Sequence, residues 1–182
     1  SFIAAVREAF PAAVVHGLEV QQDHVRELER RFQFCSKFIL HNANYFDFDW
    51  ESLFARMAKP VWVIGNPPWV TNTQLVKLES TNLPKKSPQA HLRGYEAQTG
   101  KSNFDISEWM LLKNIEWVQR RGGGLAVLCK TAVARKIVAS ALKKEMRFTD
   151  ARIYRIDASA HFGAAVDACL FYLAAGRGNS VS

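Results

Sequence analysis

Strand-like apolar runs alternate with helix-like amphipathic stretches along most of this chain, and no other feature constrains the fold as tightly. Ser1 to Ala9 has helical periodicity, with Phe2, Ile3, Val6 and Phe10 on one face, and Pro11 ends it. Ala12 to Val20 reads as a buried strand. In Asp23 to Phe34, Val25, Leu28 and Phe32 recur at helical spacing, and Glu27 sits one turn before Arg31. Lys37 to His41 is a short strand, Glu51 to Met57 a short helix, and Val61 to Ile64 a continuous apolar strand. Thr71 to Leu78 has a helical pattern, whereas Glu79 to Ser102 is irregular. Beyond it come a helix (Phe104 to Gln119), a strand (Leu125 to Cys129), a helix (Thr131 to Met146) and two successive strands (Ala151 to Asp157 and Asp167 to Ala174). Such alternation predicts an α/β fold with a mainly parallel sheet covered on both faces, and the two successive strands predict an antiparallel edge.

Composition narrows the classes. With 182 residues, 48% hydrophobic and 23% charged, the chain suits one domain, 1–182, with a packed core. No apolar run reaches membrane-spanning length, so no membrane association is expected. Three scattered cysteines, Cys35, Cys129 and Cys169, have neither CxxC nor zinc spacing; they read as buried small hydrophobes of a cytoplasmic protein. The five histidines show no metal-ligand spacing, so no metal is expected. Gly122 to Gly124 lies between a helix and a strand, the reverse of the order in a phosphate-binding loop. The triplet therefore reads as a helix cap and turn. A net charge of +7 is compatible with a polyanionic partner but does not require one.

Asn66-Pro67-Pro68-Trp69 carries the chemistry. It leaves the C-terminal end of a buried strand, the edge at which open α/β sheets bind ligands. Two prolines cannot extend the ladder; they stiffen the backbone and leave carbonyls as acceptors. Asn66, before a proline, is held extended, and its side-chain oxygen is another acceptor. Trp69 adds a flat aromatic face. A rigid set of acceptors beside a stacking platform suits a planar ring bearing an amino group.

These residues resemble the S-adenosylmethionine-dependent amino-group methyltransferases, most closely the DNA adenine methyltransferases of restriction-modification systems. Val61 to Val70, VWVIGNPPWV, is similar to that family's catalytic (Asp/Asn/Ser)-Pro-Pro-(Tyr/Phe/Trp) signature. The resemblance implies a class I, Rossmann-like methyltransferase fold, S-adenosylmethionine as cofactor and DNA as partner. It implies that the Asn66 oxygen and the Pro67 carbonyl hold both N–H groups of the adenine amine, with Pro68 stiffening the loop. Trp69 would then stack on the extruded base, contributing about 1–3 kcal/mol. Glu19 in Gly17-Leu18-Glu19-Val20 looks like the acid that binds the cofactor ribose, and its other reading is a helix-leading carboxylate. Asn44 and Tyr45 look like the segment touching the cofactor's adenine, although the family usually has Asp where Asn44 stands; Asn44 equally suits an Asx turn. Asp105 matches the polar position beside the cofactor and also suits a helix N-cap. Phe162 matches an aromatic facing the target base or, equally, ordinary packing. Lys85, Lys86 and Arg93 belong to a basic stretch, residues 77–101, that either tracks phosphates or is a solvated loop.

On the same comparison the family's first strand and glycine-rich cofactor loop are missing, as is the segment that reads DNA sequence. The expectation is a fragment of a longer protein, with six of the family's seven strands. Two other functions stay open: amino-group methylation of a protein glutamine or of RNA, and a non-catalytic DNA-binding module of the same fold.

Overall fold

The parallel pairing of the short strands organises the computed structural model, which describes residues 2–69, 105–143, 146, 148–163 and 165–175. The elements run α1 (Phe2–Ala9), β1 (Val15–Glu19), α2 (Gln22–Phe32), β2 (Phe38–Asn42), α3 (Trp50–Arg56), β3 (Val61–Gly65), α4 (Ile106–Arg121), β4 (Gly123–Lys130), α5 (Thr131–Lys143), β5 (Phe148–Ile156), α6 (Ala158–Phe162) and β6 (Ala168–Ala175). All six expected strands form. The helix expected at Thr71 to Leu78 and the irregular stretch after it lie outside the described residues.

The described residues divide into two compact units, one reaching Trp50 and the other starting at Glu51. In the first, β1 and β2 pair in parallel, with Glu19 opposite Asn42. In the second, four strands have the order β3-β4-β6-β5. There β3 and β4 are parallel, while β6 runs antiparallel to both its neighbours, as expected of the last strand.

Alternation along β4 and β6 builds the core of the second unit. Leu125, Val127 and Cys129 on β4 share a face with Cys169, Phe171 and Leu173 on β6. Leu111 and Ile115 of α4 and Ala134 and Ile137 of α5 close over that face, all at most 1% exposed. Cover is thinner on the opposite face. There Trp62, Ile64 and Tyr154 stay more than one-third exposed, and Trp62 stacks on Tyr172 with 5.7 Å between ring centroids.

Gly122 is the helix end that the triplet's position predicts, whereas Gly123 and Gly124 form no turn and are the first residues of β4. Gly122 ends α4 at φ 69° and Gly123 opens β4 at φ 99°, both in the region where side chains are strained. A Cβ on Gly123 would stand 2.1 Å from the Val61 carbonyl oxygen, so β4 starts against β3 only because nothing projects there. The strand therefore begins two residues earlier than its apolar run. α6 was not expected: Asp157 accepts from Ala160 N at 2.9 Å and Gly163 closes the helix in left-handed geometry, turning a presumed connection into a short helix.

Candidate functional site

β3 delivers the Asn66–Trp69 segment at its C-terminal end. Asn66 is exposed and its amide has no hydrogen-bond partner among the described residues, whereas Pro67 is buried. β4 runs three residues past Val127, the partner of Gly65, and Trp69 lies along that overhang. The indole Nε1 donates to the Leu128 carbonyl at 3.3 Å. Phe162, at the end of α6 and 49% exposed, meets the indole edge-on, with centroids 5.9 Å apart and ring planes at 83°. Half-exposed, Phe162 is not part of the buried core, and its ring packs against Trp69. The pair makes an aromatic corner, with Asn66 three residues before Trp69 along the chain.

Asp105 stands at the N-terminus of α4. Its Oδ1 accepts from Ser107 N at 3.0 Å and from the Ser107 hydroxyl, the N-cap geometry the sequence allowed. Its Oδ2 accepts from Lys130 Nζ at 2.7 Å. Lys130, the last residue of β4, was not singled out from the sequence. The available signal was a lysine closing an otherwise apolar strand directly before a helix. Nearby, Thr131 and Asp167 tie α5 to the start of β6 through Thr131 N to Asp167 O at 2.9 Å and Thr131 Oγ1 to Asp167 Oδ1 at 3.1 Å.

In the first unit, Glu19 ends β1. Its Oε1 accepts from Val20 N and Gln21 N, each at 2.8 Å, and Oε2 is 3.7 Å from His24 Nδ1. The carboxylate thus leads α2, as one reading held, and these bonds also fix its orientation at the strand end. Asn44 forms the Asx turn: its Oδ1 accepts from Phe46 N at 3.0 Å. Tyr45 packs 4.9 Å from the Trp50 ring, whose Nε1 donates to the Tyr45 carbonyl at 2.8 Å, and burial pushes the Tyr45 phenol well above its ordinary value. Beside them His16 and His41 stack with ring nitrogens 3.0 Å apart, a pairing across β1 and β2 that spacing along the chain does not reveal.

Of the sequence-identified residues, the structure brings Trp69 and Phe162 together in the second unit, with Asp105 bound to the end of the β4 strand that Trp69 touches. It places Glu19, Asn44 and Tyr45 in the first. Lys85, Lys86 and Arg93 lie outside the described residues. No group of three or more His, Cys, Asp or Glu suitable for a metal occurs among the described residues. No helix there is long and apolar enough to cross a membrane.

No family model matches the chain. Over 174 residues, 94% of its length, it is 37% identical to a protein named Type II methyltransferase M.NspV from Nostoc sp. (strain ATCC 29411 / PCC 7524). The chain spans 36% of that relative's length. The α/β architecture, mostly parallel with an antiparallel final strand, agrees with this similarity in being that of a class I methyltransferase fold.

Proposed function

We propose that residues 1–182 belong to one catalytic domain that transfers a methyl group from S-adenosylmethionine to the exocyclic amine of adenine in DNA. The observation carrying this reading is the exposed Asn66 acceptor just past the C-terminal end of β3, three residues before the Trp69 that meets Phe162 edge-on. Similarity to a protein named as a Type II methyltransferase supports methyl transfer to DNA in general. The choice of adenine rests on the motif.

The adenine amine is a weak nucleophile because its lone pair is delocalised into the ring. The Asn66 side-chain oxygen and the Pro67 carbonyl accept its two N–H groups, which favours a tetrahedral nitrogen with its lone pair directed outward. Developing positive charge on that nitrogen is stabilised by the same two acceptors, the counterpart of an oxyanion hole. An Asn amide is not a base, so the product proton leaves to water. Trp69 stacks on the extruded base, offsetting part of the few kcal/mol that extrusion costs, and Phe162 limits how far the base can slide.

The cofactor supplies an electrophilic methyl group. Glu19 suits its ribose, because a carboxylate already oriented by two backbone N–H groups keeps Oε2 as an acceptor for hydroxyls. Asn44 and Tyr45 would border its adenine. Lys85, Lys86 and Arg93 are assigned to DNA phosphates on charge alone.

The test is Asn66→Ala. Methyl transfer should fall by about 10²-fold or more with folding intact. Nucleoside digestion of the wild-type product should yield N6-methyladenosine in its deoxy form. Turnover unchanged by the substitution, or methyl recovered on glutamine, would overturn the reading.

A further inference from the structure

Lys130 is the most telling charged group that this function leaves unused. It closes β4, the strand whose Leu128 carbonyl holds the Trp69 indole two residues earlier. Its ammonium bonds Asp105 Oδ2 at 2.7 Å, its one partner among the described residues, and an ammonium carries three N–H donors. Of this pair the lysine is the outward member: its side chain is 28% exposed and that of Asp105 10%. The carboxylate is committed elsewhere, since Oδ1 caps α4 through Ser107. Asp105 thus acts as a clamp that holds the ammonium in place, and its own charge is shared between Lys130 and the positive end of α4. Arg155 and Asp167, at the same end of the sheet, pair with each other at 3.3 Å.

We infer that Lys130, clamped by Asp105 on the β4 overhang beside Trp69, binds an oxyanion of the reacting complex. This rests on the methyltransferase reading and assigns that site a further binding residue. Two oxyanions are at hand in such a complex: a DNA phosphate flanking the extruded base, and the carboxylate of the cofactor's methionyl group. A clamped lysine loses less side-chain freedom on binding than a mobile one, which is what the ion pair contributes.

The experiment compares wild type, Lys130→Met and Lys130→Arg by equilibrium binding, with DNA affinity measured across a salt series and cofactor affinity by calorimetry. If the oxyanion is a phosphate, Lys130→Met lowers the slope of log affinity against log salt by about one, and Lys130→Arg restores it. If it is the carboxylate, the salt slope is unchanged and Lys130→Met weakens S-adenosylmethionine, while decarboxylated S-adenosylmethionine binds both proteins equally. Unchanged salt slope and unchanged cofactor affinity in a folded Lys130→Met protein overturn the inference. Asn66→Ala, assayed in parallel, separates the two claims. If it loses methyl transfer while Lys130→Met binds as wild type, only the role of Lys130 falls; if it turns over normally, or if wild type binds neither DNA nor cofactor, both fall.

Discussion

At Trp69 a single hydrogen bond separates a tryptophan from any other aromatic residue. Phenylalanine would keep a stacking face but lose the N–H that the Leu128 carbonyl holds. Trp69→Phe should therefore leave stability within about 1 kcal/mol, the worth of one neutral hydrogen bond. It should also lower kcat/KM several-fold, because the ring is free to tilt; steady-state kinetics on a DNA substrate checks this. Gly123 is decided by backbone alone. With φ at 99° and the Val61 carbonyl 2.1 Å from a would-be Cβ, Gly123→Ala should cost about 2 kcal/mol or more, read as a lower urea midpoint. Asn66, the two prolines and Trp69 were legible as a chemical group from four adjacent letters, because proline stiffness and acceptor chemistry are local properties. Lys130 was not: its meaning comes from Asp105, twenty-five residues away in sequence and 2.7 Å away in space.

Among the elements, α4 is the one whose environment the sequence least revealed. Its buried positions include Ser107, Glu108 and Asn114 alongside Leu111, Ile115 and Val118. Glu108, 4% exposed, is tolerated inside because Lys136 of α5 reaches it. Lys136→Met removes that countercharge and should destabilise the protein by about 1–3 kcal/mol, whereas the double change with Glu108→Gln should recover part of the loss. A double-mutant cycle in urea measures the coupling. Ile115→Ala, at a site with no exposure, should cost about 2–5 kcal/mol through the cavity it leaves. The helices and strands themselves were readable, since period 3.6 and short apolar runs are written along the chain. Two departures have physical causes: β4 starts two residues early because glycines can pair where no side chain is needed, and the unexpected α6 forms because Asp157 caps it.

At the scale of the whole molecule, the three cysteines offer a direct check on burial. Cys129 and Cys169 face each other across β4 and β6 with sulfurs 3.9 Å apart, and neither is exposed. Their mutual hydrogen bond, with burial, pushes the Cys129 thiol up while lowering that of Cys169, so what shields both sulfurs from reagent is their burial. Cys35 is partly exposed. A thiol reagent should therefore modify one cysteine in the native protein and the other two only as fast as the fold opens, with mass spectrometry of the labelled peptides as the readout. By itself the sequence determined the α/β class, the six strands seen among the described residues, the antiparallel last strand and the Asn66–Trp69 segment at a strand end. Each of these follows from periodicity, proline and glycine chemistry within a short window. Tertiary structure alone decided the order β3-β4-β6-β5, the edge-on meeting of Trp69 with Phe162, and the clamp of Asp105 on Lys130. Those contacts join residues tens of positions apart, and which distant groups meet is set by packing over the common core, which no local pattern encodes.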